Sequence, residues 1–172
     1  MEPRAFWRPL DRAELPVLEW VERVRFGGVV EDATRAITKA GEHGLAWYAI
    51  AGVAAAADAP RRDKWLRAGA SVAGAYAAST ALKLFARRQR PPVAAVETRT
   101  GLSFPSSHAV TSFAAARLMT GIEPRGKLAY YGFAAAFAGS RLHFCVHYPS
   151  DIAAGAALGD LAGRALSGVC CK

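Results

Sequence analysis

KLFARRQRP at 83–91, PSSH at 105–108 and SRLHFCVHYPSD at 140–151 are the three blocks around which the chain is arranged. Each ends or begins a predicted helix. Together they supply Lys83, Arg90, Arg141, His108, His147 and Asp151. That set suits a doubly charged phosphoryl group being transferred to an imidazole. The lysine and two arginines are fixed positive charges, and arginine presents a planar fork that matches phosphate oxygens. Ser106 can donate a hydroxyl hydrogen bond. The backbone N–H groups around Ser107 and His108, at a helix N-terminus, form a natural anion site. A neutral imidazole can attack phosphorus.

The spacing is specific. Lys83 is followed after six residues by Arg90-Pro91; then comes Pro105-Ser106-Ser107-His108. Ser140-Arg141 is separated by five residues from His147, and three more lead to Asp151. This closely resembles the three-part signature of the type 2 phosphatidic acid phosphatase superfamily, which includes bacterial acid phosphatases and vanadium haloperoxidases. The resemblance covers roughly residues 68–168. It departs at Ser107, where the family usually has glycine, which puts the local backbone geometry in question but not the reaction class. The resemblance implies a compact helical bundle with its site at one end. It also implies that His147 is the nucleophile and forms a phosphohistidine. Asp151 would bond its far nitrogen and fix the tautomer. His108 would be the general acid and then the general base. Lys83, Arg90, Ser106, Ser107 and Arg141 would hold the phosphate. The mechanism so implied needs no metal and no cofactor.

Other readings compete. Lys83, Arg87, Arg88 and Arg90 would each suit a headgroup anchor, and for Arg87 and Arg88, outside the signature, anchoring is the expectation. Ser140 is expected in local hydrogen bonding. His143, His147 and Asp151 are four apart, as a metal triad on one helix would be. Pro149 argues against a continuous helix there, and the surrounding cations would repel a metal. His143 is read as a supporting or interfacial histidine.

The 172 residues suggest one domain. Apolar residues make up 52%, much of it alanine and glycine, and the formal charge is +8. With no aromatic-basic motif, lipid and phosphate are expected partners rather than nucleic acid. Cys145, Cys170 and Cys171 are a poor disulfide framework and read as reduced thiols. The start, MEPRAFWRPLDRAE, has no uninterrupted apolar core and is not a secretory signal.

Residues 1–43 read as an N-terminal arm with interfacial helices, and 44–172 as the helical phosphatase core. Residues 1–12 look irregular, with Phe6 and Trp7 beside Arg4 and Arg8 suiting a bilayer interface. Pro16 suits a helix's first turn. Val17, Trp20, Val21 and Val24 share a face; Val29, Val30, Ala33 and Ile37 make a second stripe after Gly27-Gly28. These amphipathic helices either lie on a membrane surface or pack on the bundle, and the surface is favoured. Apolar helices follow at 44–57, at 68–86 with Lys83 in its last turn, from Ser106 or Ser107 as cap to Met119, at 128–142 and at 149–169. Gly155, Gly159 and Gly163 form a small-residue packing face, and Asp160 can pair with Arg164.

The expected architecture is all-α: a membrane helical bundle of about five short apolar helices plus the N-terminal amphipathic ones. Alternating helix directions put the 87–106 and 142–148 connections on one side. The expected protein is a multi-pass cell-membrane lipid phosphate phosphatase acting on a polyprenyl-linked phosphate, decaprenylphosphoryl phosphoribose among the candidates. Alternatives are a phosphatidic acid, phosphatidylglycerophosphate or undecaprenyl diphosphate phosphatase, and a lipid-phosphate-binding protein. Basic residues fall at both ends of the helices, so charge does not assign the side of the membrane.

Overall fold

The computed structural model describes residues 3–98 and 100–170, with side chains from 5 to 168 apart from residue 99. The side chains of Arg4 and Cys170, and all of Cys171, which the expectations above touch, lie outside the described residues. Among the described residues seven α-helices are connected by loops and single 3-10 turns: α1 (Pro3–Val24), α2 (Val29–Gly41), α3 (Leu45–Ala57), α4 (Arg62–Ala86), α5 (Ser107–Ile122), α6 (Lys127–His143) and α7 (Pro149–Cys170). The fold is all-α, and no β-strand occurs among the described residues.

Helix α5 is the centre. Its buried residues run around its circumference, from Ala109 and Val110 to Leu118 and Met119, and α4, α6 and α7 pack against it. The closest approach is to α7, where the glycine ladder lies. A Cβ on Gly159 would stand 2.3 Å from the Val110 carbonyl oxygen, and one on Gly155 would stand 2.8 Å from that of Ser106. Only glycine permits that backbone-to-backbone contact. Trp47, Trp65, Val72, Leu118, Met119, Ile122 and Phe137 form the main apolar core. Asp160 and Arg164 pair at 2.7 Å, as their spacing predicts.

Two expectations about the N-terminus need correction. Residues 3–12 are not an irregular arm: α1 starts at Pro3 and continues through Pro9 and Pro16 to Val24. Internal prolines cost a helix about 3 kcal/mol each, and tertiary contacts offset that here. The Trp7 indole N–H donates to the Ala86 carbonyl at 2.8 Å. Leu18 is fully buried against Cys145 and Tyr148. The second correction is Pro16, expected in a helix's first turn but lying well inside α1. The apolar stripes face away from the bundle. Val17, Trp20, Val24, Val29, Val30 and Ile37 are all exposed. The bundle instead meets Trp7, Leu18 and Val21 of α1, and the buried Thr38 and Gly41 of α2. Among the described residues no helix is long and apolar enough to cross a membrane.

Candidate active site

The three blocks converge at one end of the bundle because each sits where a helix ends or begins. Lys83 is in the last turn of α4, Ser106 precedes the first residue of α5, Arg141 is in the last turn of α6 and Asp151 is in the first turn of α7. Backbone contacts then lock them together. Lys83 Nζ donates to the carbonyls of Ser103, at 2.9 Å, and Pro105. Arg90 Nη1 donates to the Val146 carbonyl at 2.6 Å, and the Ser106 N–H donates to the Asp151 carbonyl at 3.1 Å. The long loop folds back on itself: Arg90 N–H donates to Gly101 O at 3.1 Å and Ser103 N–H to Arg88 O at 2.8 Å.

A cavity of about 280 Å³ opens between them, lined by Lys83, Arg90, Ser107, His108, Arg141 and His147. Its outer wall includes Thr38 and Lys39 of α2, together with Glu42. Of the five expected phosphate ligands, Lys83, Arg90, Ser107 and Arg141 lie on one cavity with both histidines, and Ser106 is not among the residues that line it. Lys83 has three donors, and two are spent on the carbonyls. Arg141 Nε and Ser106 Oγ are buried without a hydrogen-bond partner. Buried polar atoms are normally paired, so these two donors are free to meet a bound acceptor. Ser106 occupies the N-cap position of α5, yet its side chain makes no cap bond; the expected capping hydroxyl is one of the unpaired ones. Ser107 Oγ lies 3.0 Å from Ser79 Oγ on α4. The side chain that stands in for the family's glycine therefore has its own place.

The hydrogen-bond inventory assigns the tautomers. Arg90 Nη1 lies 3.2 Å from His147 Nε2. Guanidinium can only donate, so Nε2 carries the lone pair. Nδ1 then carries the hydrogen, and it faces Asp151 Oδ2 at 3.4 Å. Burial first, then the charges of Arg90, Lys83, Arg141 and His108, hold the imidazole well below the usual histidine range. It is neutral near pH 7, with a lone pair beside Arg90. The Tyr148 N–H donates to the same Asp151 oxygen at 2.9 Å, so the carboxylate caps the first turn of its own helix. His108 Nε2 lies 3.1 Å from the Thr38 carbonyl. A carbonyl only accepts, so Nε2 is protonated and Nδ1 is left for a bound group.

Three further findings concern expectations from sequence. Arg88 is not a headgroup anchor: its side chain is fully buried and pairs with Asp11, Glu14 and Asp151. α2 reaches the site through Thr38 and Gly41, where a Cβ on Gly41 would stand 2.9 Å from the His108 ring. Sequence reading missed both. One signal was available: Trp7, Asp11, Glu14 and Leu18 recur at helical spacing, which marks a face that is neither the apolar stripe nor the charged one. His143 ends α6 against Phe144, ring centroids 5.0 Å apart, while His147 lies in the following loop. The helical register assumed for a metal triad is absent. Ser140 Oγ donates locally to the Phe137 carbonyl at 2.8 Å.

A family model described as the PAP2 superfamily matches residues 64–169. The decaprenylphosphoryl-5-phosphoribose phosphatase of Mycobacterium tuberculosis is 41% identical over 142 residues, covering 78% of this chain and 77% of that protein. The protein of the same name from Mycolicibacterium smegmatis is 39% identical over 150 residues, 84% of this chain and 82% of that one. The transmembrane PAP2-type phosphatidylglycerolphosphate phosphatase from Bacillus subtilis shares the fold, with a TM-score of 0.77, 20% identity, and coverage of 94% of this chain and 86% of that one. Aquifex aeolicus LpxE does so with a TM-score of 0.72, 18% identity, and coverage of 89% and 93%.

Proposed function

From the premise that the chain belongs to the PAP2 superfamily and is a phosphatase, we propose that it removes the terminal phosphate of decaprenylphosphoryl-5-phosphoribose at a membrane. The likeness to relatives named for that reaction supports the substrate. The observation that carries the chemistry is the His147 ring, held between Arg90 and Asp151 on a cavity that is also lined by Arg141, whose Nε is buried without a partner.

The phosphomonoester enters with its oxygens toward Arg90, Arg141, Ser106 and the N–H groups of Ser107 and His108. These neutralise charge that would otherwise repel a nucleophile. The dianion also lets His108 take up a proton at Nδ1. His147 Nε2 attacks phosphorus, and the P–O bond to the sugar carbon's oxygen breaks. His108 gives that oxygen the proton from Nδ1. Asp151 stabilises the cationic ring of His147 through Nδ1–H. His108, now neutral at Nδ1, takes a proton from water as it attacks the phosphohistidine, which releases inorganic phosphate and restores both histidines. Lys83 supports the loop that carries Ser106 while adding positive charge to the cavity wall.

Lipid embedding is part of the same reading. Val53, Leu66, Leu82, Leu84, Phe85, Leu128, Phe133 and Leu161 are exposed on the outside of the bundle. A bilayer supplies the apolar surroundings that water does not.

The test is phosphate release by detergent-purified protein with chelator present. The panel is decaprenylphosphoryl-5-phosphoribose, phosphatidic acid, phosphatidylglycerophosphate and a polyprenyl diphosphate, with His147→Ala as control. The reading expects fastest release from the first substrate and none from the variant. Faster release from a glycerolipid phosphate overturns the substrate. Undiminished release by His147→Ala overturns the nucleophile.

A further inference from the structure

Arg88 has an environment that neither the reaction nor the packing of the bundle explains by itself. Its side chain is fully buried. Nε donates to Asp11 Oδ1 at 2.9 Å and Nη2 to Glu14 Oε2 at 2.7 Å. Nη1 donates to Asp151 Oδ1 and to Ser150 Oγ, each at 2.7 Å. The faces of the guanidinium are covered by the Tyr148 ring at 4.0 Å and the Trp7 ring at 4.9 Å. One cation thus joins three carboxylates, two of them from α1 and the third the partner of His147.

The two oxygens of Asp151 have separate duties. Oδ1 faces Arg88, and Oδ2 faces His147 Nδ1 and the Tyr148 N–H. The bond to Arg88 therefore fixes the rotation of the carboxylate that aims Oδ2 at the imidazole. It also has an electrostatic cost. A carboxylate paired with an unshared arginine gives part of its charge to that arginine and is a weaker partner for an imidazolium. Asp11 and Glu14 share the arginine and relieve that demand. Glu14 also accepts from the Ser150 N–H and from its hydroxyl, each at 2.7 Å. It thereby satisfies an otherwise unpaired donor at the start of α7, one residue before Asp151. Burying a cation costs more than it returns unless it is fully paired, and here the pairing joins the two α1 carboxylates to Asp151 through one guanidinium.

We propose that Arg88, held by Asp11 and Glu14, is a positioning residue for Asp151, so that α1 sets the strength of the His147 nucleophile. The inference rests on the proposed role of His147. Helix α1 lies outside the matched family region, yet it completes the site. The charged or titratable groups facing His147 are Lys83 from α4, Arg90 from the loop, His108 from α5, Arg141 from α6 and Asp151 from α7. Glu42 and Glu97 also line the cavity, but it is Asp151 that contacts the ring, so its effective charge bears most directly on how well the ring carries the positive charge of the phosphohistidine.

The experiment compares intact protein with Asp11→Asn, Glu14→Gln, the double variant and Arg88→Lys in the phosphatase assay, each checked for thermal unfolding in detergent. Phosphoenzyme formation is followed in a single turnover. In the double variant Arg88 bears on Asp151 alone. The expected result is a loss of about tenfold or more in kcat and in the single-turnover rate, with KM within about twofold. The acid limb of the kcat/KM profile should move to lower pH, because the ring has lost basicity. Arg88→Lys keeps the charge but not the three-way fork, and should not restore the rate. If the double variant does not fold, the two single variants carry the same test with smaller shifts in the same directions. Folded variants with an unmoved acid limb overturn the proposal, even where Tm has fallen, since that is the signature of a merely structural staple. His147→Ala keeps the two readings separate. Activity surviving in that variant refutes the nucleophile, whereas activity lost there but untouched in the α1 variants refutes only the present inference.

Discussion

At the scale of single residues, the site keeps a histidine neutral among cations. On the proposed reading Lys83, Arg90 and Arg141 serve the phosphate, and the same charges oppose protonation of His147. Burial adds to this, so the folded protein holds the ring well below its ordinary pKa, while the unfolded chain titrates near 6.5. Below that pH the unfolded state binds a proton that the folded state refuses, and stability falls as pH falls. Above it both states are neutral and the penalty vanishes. Thermal unfolding in detergent should therefore show stability dropping from pH 7 to pH 5, with a slope that approaches about 1.4 kcal/mol per pH unit from this one group. His147→Gln should flatten the slope by that amount. An unchanged slope would mean the ring is protonated in the fold. The motif residues were legible from sequence because their chemistry is carried by type and spacing. Arg88 was not. An arginine beside two others at a helix end looks like any headgroup anchor until the carboxylates that bury it are found, and two of them lie more than seventy residues away.

At the scale of helices, α3 to α7 follow their apolar runs closely, and the glycine ladder was legible because four-residue spacing puts all three glycines on one face. The start of α4 at Arg62 rather than Ala68 shows the limit of that signal: a polar first turn looks like a loop. The failure at α1 has another cause. Prolines at 9 and 16 argue locally for interruption, and contacts with the rest of the fold override them. Glycine roles can be separated by measurement. Gly159 and Gly155 meet backbone, so Gly159→Ala should destabilise by about 1–3 kcal/mol through overpacking and weaken the tie between Ser106 and Asp151. Gly74, exposed within α4, has open space where a Cβ would stand, with nothing within 4 Å. Gly74→Ala should stabilise by up to about 1 kcal/mol through helix propensity. Equal effects from the two substitutions, in thermal unfolding, would refute the ladder as a contact surface.

At the scale of the whole molecule, the outward apolar stripes of α1 and α2 bear on how the chain meets lipid. In α1, Phe6, Leu10, Val17, Trp20 and Val24 are exposed, and their spacing keeps them on one side of the helix. The opposite edge carries Arg8, Arg12, Glu19 and Arg23, while the third side is fastened to Arg88 and the start of α7. A helix with one side bound to protein, one apolar and one charged suits the plane between headgroups and acyl chains. Trp20 reports on this directly, because Trp47 and Trp65 are buried and Trp7 lies against Phe104 with its N–H committed. In vesicles containing bromine-labelled acyl chains, the intrinsic fluorescence should be quenched, and Trp20→Phe should remove most of the quenching while leaving phosphate release in detergent within about twofold. Replacing Val17 and Trp20 together with serine should weaken the hold of α1 on the bilayer and slow turnover of membrane-borne substrate more than of substrate in mixed micelles. Quenching that persists in Trp20→Phe would place the labelled chains against the bundle rather than α1. The N-terminal helix would then act through Arg88 alone.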